Sequence, residues 1–66
     1  MDVHRKKPMR DMAAQLEKLQ VQMAECEMIA RLATDRAKRD LFTRLAAHYK
    51  VLADEVARAI ATQANR

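Results

Sequence analysis

The sequence predicts an all-α chain folded as a two-helix antiparallel hairpin, and three observations carry that prediction. First, the 66 residues include no glycine, and 33% of them are charged. With its many alanines, such text suits long helices and suits strands poorly. Second, Met9, Met12, Leu16, Leu19, Met23, Cys26, Ala30 and Ala33 recur at alternating steps of three and four, the spacing by which a helix buries one seam against another. Third, carrying that ladder forward would set Asp40 at a core position, so the phase resets across Thr34-Asp35.

Each segment can be justified in chain order. Residues 1–7 contain His4-Arg5-Lys6-Lys7 and read as a flexible basic arm. Pro8 suits the first turn of a helix, where its missing N–H is no loss, so the first helix is expected over about 8–33. Thr34 and Asp35 favour N-cap positions, because their side-chain oxygens satisfy the free N–H groups of a new first turn. A turn is therefore expected at 34–35, followed by a second helix over about 36–63. The whole hairpin occupies 8–66. The apolar positions of the second helix are Leu41, Phe42, Leu45, Ala46, Tyr49, Leu52, Ala53, Val56, Ala57 and Ile60, a stripe wider than a coiled-coil seam. The rival architecture is one long continuous helix in a coiled coil with a stutter in its heptads, since no Gly or Pro enforces a stop. Four acid–base pairs stand at i, i+4 with the acid first, Glu27–Arg31, Asp35–Arg39, Asp40–Arg44 and Asp54–Arg58, the orientation that favours helices.

Composition limits what such a hairpin can do alone. One Phe, one Tyr and no Trp leave a thin, aliphatic core. At about 25 cal/mol per Å² buried, against roughly 1.5 kcal/mol of ordering entropy per residue, a scaffold this small comes out near zero. A single cysteine forms no internal disulfide, and two histidines with one thiol give no ligand cluster at metal-site spacing. No metal or other cofactor is expected, and oligomerisation or docking on a partner is left to supply stability. The first helix has surface for it: Val21, Ala24, Met28 and Leu32 form a second apolar line, with Ile29 between the two lines. A helix apolar nearly all round is normally enclosed by several neighbours. The expected product is a homodimer of hairpins forming a four-helix bundle. The expected interface residues are Val21, Met28, Ile29 and Leu32 on the first helix, with Phe42 and Tyr49 on the second.

Few residues suggest chemistry. Cys26 falls on the principal seam, where a thiol behaves as a small hydrophobe, and no base is placed to activate it. In His48-Tyr49, neighbours about 100° apart on a helix, Tyr49 faces the core and His48 its edge. No catalytic residue is expected. The net charge of +4 is concentrated at one end. Residues 1–10 hold four bases against one acid, for +3, and the remainder nine bases against eight acids, for +1. Arg5, Lys6, Lys7 and Arg10 therefore suit weak, salt-sensitive contact with an anion or nucleic acid, without interleaved aromatics or the third helix of a helix-turn-helix domain. No apolar run approaches a membrane span of about 18 residues, and the first eight residues lack a signal peptide's apolar stretch. A cytoplasmic protein is expected.

From Ala30 the text reads Ala30-x-x-Ala33-Thr34-Asp35-x-x-x-Arg39-x-x-Phe42-x-x-Leu45-Ala46-x-x-Tyr49-x-x-Leu52-Ala53. This resembles a pattern in short helical bacterial proteins of unassigned function, especially alphaproteobacterial ones. Its motif consists of helix-packing residues over about the central third of the chain. In those proteins the Asp is often followed by Pro, where Arg36 stands here. The resemblance implies a bacterial cytosolic origin and brings no activity, cofactor or site. The functional expectation is a small non-enzymatic helical interaction protein that self-associates and docks on a larger protein; the alternative is a small nucleic-acid-binding or regulatory protein using its basic arm.

Overall fold

A computed structural model describes residues 8–64, and the side chains of 10–63. The chain forms two α-helices, α1 (Pro8–Leu32) and α2 (Arg36–Ala64), packed on each other as a hairpin. The long continuous rod is thereby excluded. The basic arm at 1–7 and the side chain of Met9 lie outside the described residues.

Pro8 is the first residue of α1, and Asp11 in the first turn and Arg31 in the last complement the helix dipole. The last turn closes with the Ala33 N–H donating to the Ile29 carbonyl at 2.9 Å. Ala33, Thr34 and Asp35 then leave helical geometry, a connection of the short length usual in helical hairpins. No described residue has positive φ, so α1 ends without the left-handed C-cap that glycine commonly supplies. Asp35 stands immediately before α2, and its carbonyl accepts the Arg39 N–H at 3.0 Å. That is the first bond of the new helix, and it puts Asp35 at the N-cap.

The ladder read from the sequence is the packed face of α1. Met12, Leu16 and Met23 are half-buried, as is Ala33 just past the helix, and Leu19, Cys26 and Ala30 are buried, while every other residue of 10–32 is exposed. On α2 the stripe narrows on packing. Phe42, Leu45, Ala46, Tyr49, Ala53, Val56 and Ile60 are buried or half-buried, but Leu41, Leu52 and Ala57 are exposed. One neighbouring helix covers only a seam, so the outer positions of a wide stripe stay in water.

The core is correspondingly slight. Its buried residues are Leu19, Cys26, Ala30, Ala46 and Ala53, three of the five being alanines, and no described side chain is wholly buried. The molecule is one layer of helices, 12 Å through its thinnest dimension between Cα atoms. Stable domains are ordinarily built from two packed layers.

Candidate interaction surface

The two broad faces of this single layer differ in chemistry, and the difference follows from which neighbours flank the seam. A residue one position before a seam residue is turned 100° to one side, and a residue one position after it 100° to the other. A shallow groove lined by Glu27, Ala30, Thr43, Ala46, Ala47 and Lys50 shows that the following positions of both helices share one face. The preceding positions share the opposite one.

The face made by following positions is polar. Near the turn it presents Glu27, Arg31, Thr43, Ala47, Lys50 and Asp54, and Lys50 Nζ lies 3.6 Å from Asp54 Oδ2. Asp54 thus pairs with the base one turn before it, the reverse of the Asp54–Arg58 order expected from the sequence. At 68% and 57% side-chain exposure such a pair adds little stability.

The face made by preceding positions is apolar over the same stretch. It carries Ile29 and Leu32 from α1 and Leu41, Leu45 and Leu52 from α2. Leu45 is half-buried; the other four are exposed, from 36% at Ile29 to 71% at Leu32. Away from the turn the same face becomes polar, with Lys18, Gln22 and Glu25 on α1 and Glu55 on α2. His48 interrupts the apolar row on α2 and is exposed.

Of the residues expected at an intermolecular surface, Ile29 and Leu32 fall on this face. Val21 and Met28, 55% and 50% exposed, lie instead on the outer edge of α1, opposite the seam. That edge, with Ala14, Glu17, Lys18, Gln22 and Glu25, is a face of one helix without a second wall. Phe42 and Tyr49 are half-buried in the hairpin's own seam, engaged within the chain. Leu41 and Leu52, members of the wide apolar stripe read from the sequence, also fall on this face. Their signal was present in the spacing: each directly precedes a seam residue, Phe42 and Ala53, as Ile29 precedes Ala30.

Comparison with family models, curated proteins and solved structures finds no match to this chain. The reading of the surface therefore rests on its own chemistry. Among the described residues, no three His, Cys, Asp or Glu side chains gather where they could hold a metal ion, and no helix is long and apolar enough to cross a membrane. Cys26 is a free thiol buried in the seam. Of the basic residues assigned to anion contact, Arg10 is exposed on the first turns of α1; Arg5, Lys6 and Lys7 lie outside the described residues.

Proposed function

We propose that this chain is a non-enzymatic helical interaction protein that self-associates. The observation that carries the reading is the imbalance between what is buried and what is not. Val21, Met28, Leu32, Leu41, Val51 and Leu52 are all about half exposed or more, while no described side chain is wholly buried. Leu32, Leu41 and Leu52 share one face near the turn, and large exposed apolar residues grouped in this way mark an interaction site rather than ordinary scatter. A single-layer hairpin needs a second layer to complete a core.

A catalytic reading lacks a comparable support. The depression at Val21 and the groove beside Ala30 and Ala46 are open to solvent along helix faces, and neither encloses a volume from which water would be excluded during a reaction. The working residues are therefore interface residues. Ile29, Leu32, Leu41 and Leu52 offer the surface for a second hairpin, and the Val21–Met28 edge is left over for a larger protein.

The test is a pair of substitutions, Leu32→Glu and Leu52→Glu, made in the full chain. Both residues are exposed, so neither change places a charge inside the hairpin. Each is expected to lower the mass measured by light scattering to that of one chain, with a loss of helicity in circular dichroism. Unchanged mass and unchanged helicity would contradict the reading.

A further inference from the structure

We infer that the second layer is another copy of this chain, stacked on the Ile29–Leu52 face with the two turns at the same end. This arrangement rests on the self-association proposed above and adds the face and the orientation.

The register within the hairpin comes first. The groove formed by Glu27 and Ala30 with Thr43, Ala46, Ala47 and Lys50 sets Ala30 level with Ala46. The helices run in opposite directions with equal rise per residue. Stepping down α1 and up α2 therefore brings Cys26 level with Tyr49, Met23 with Ala53 and Leu19 with Val56. By the same count Ile29 lies about 3 Å from the level of Leu45, and Glu25 and Lys18 each about 4.5 Å from the levels of His48 and Glu55, offsets within the reach of these side chains.

A two-fold axis parallel to the helices lays α1 of one copy over α2 of the other without changing any level. Ile29 and Leu32 then meet Leu45 and Leu41 of the second copy, and Leu52 covers Gln22. Beyond the apolar part the charges are complementary. Lys18 comes opposite Glu55 of the second copy, and Glu25 opposite His48, whose imidazole N–H can donate to a carboxylate. The symmetry makes each pair twice. Reversing one hairpin end for end breaks this match: with full overlap the apolar halves face the polar halves, and Glu55 faces its own copy. Complementary flanking charges of this kind set partner and orientation in helical bundles.

The charge of the helical body does not oppose pairing, since residues 11–66 carry nine bases against eight acids.

The experiment uses spin labels in the full chain, at Thr34→Cys in the turn and, in a separate protein, at Gln63→Cys near the far end. Cys26→Ala is present in both, and sedimentation is measured on the same samples. With the turns together, both inter-chain distances are expected near 20 Å, from helix layers about 8–10 Å apart plus the label arms. Any end-for-end arrangement separates at least one of the two label pairs by roughly 35 Å, about the length of α1 at 1.5 Å per residue. Lys18→Glu is expected to weaken dimerisation roughly tenfold, with recovery when Glu55→Lys is added. A dimer with either distance long, or one indifferent to Lys18→Glu, overturns this stacking while leaving self-association standing. A folded monomer overturns both.

Discussion

Ala30 on α1 and Ala46 on α2 line one groove between the helices, and both are buried, at 8% and 7% exposure. Two methyl side chains on one groove take up little room between the helices. The seam closes there on small residues, leaving a shallow gap of about 330 Å³ beside them. The larger Ile29 and Leu45, one position earlier on each helix, are thereby set on the outer face instead of between the helices.

Enlarging that contact should force the hairpin open. Ala46→Leu adds three carbons at a residue only 7% exposed in the seam, and overpacking of this kind costs about 1–3 kcal/mol. Thermal unfolding followed by circular dichroism is expected to show a lower midpoint for Ala46→Leu. Ala47→Leu, on the exposed neighbouring position, should leave it nearly unchanged.

The turn provides a second prediction. Asp35 occupies the N-cap of α2, where substitution by alanine costs about 0.5–2 kcal/mol. Asp35→Ala should therefore lower the unfolding midpoint by several degrees, given about 4–8 °C per kcal/mol in a domain of this size. Arg36→Pro tests the same boundary from the other side. At the first helical position the lost N–H has no partner to lose, so that variant should fold with undiminished helicity. A collapse of helicity would mean that α2 begins elsewhere.

The Lys50–Asp54 pair should matter little. Both side chains are more than half exposed, and exposed pairs of this spacing contribute about 0.3–0.5 kcal/mol at most. Asp54→Ala is expected to move the denaturant midpoint barely at all, and any small effect should vanish in high salt.

Cys26 offers a probe of opening. Its thiol is buried between Met23 and Ala30 on the seam, so reaction with an aromatic disulfide reagent should require local or global unfolding. Labelling is expected to slow as protein concentration rises, because association stabilises the closed form. A rate as fast as that of the urea-unfolded chain, at every concentration, would show the seam to be open.

The helices and their boundary were legible in the sequence for identifiable reasons. Pro8 and Asp35 are local signals read within one turn, and the described part of the Met9–Ala33 ladder is periodic enough to name its buried residues one by one. What escaped was which of two roles an apolar residue takes. Leu41 and Leu52 resemble Phe42 and Ala53 in hydrophobicity, and their place one position before a seam residue has meaning only once the packed helices show which residues form the seam. Phe42 and Tyr49, expected at an intermolecular surface, are half-buried along the hairpin's own seam. The ion pairs escaped for a different reason: several partners lie within reach of each exposed charge, and their energies differ by too little to select one.

The most direct measurement is sedimentation equilibrium of the unaltered chain over micromolar concentrations, with helicity recorded on the same samples. A mass of twice the 7.6 kDa chain, accompanied by helicity that falls on dilution as the dimer dissociates, is the expected result. A monomer that keeps its full helicity at every concentration would contradict the central claim that this hairpin is half of a core.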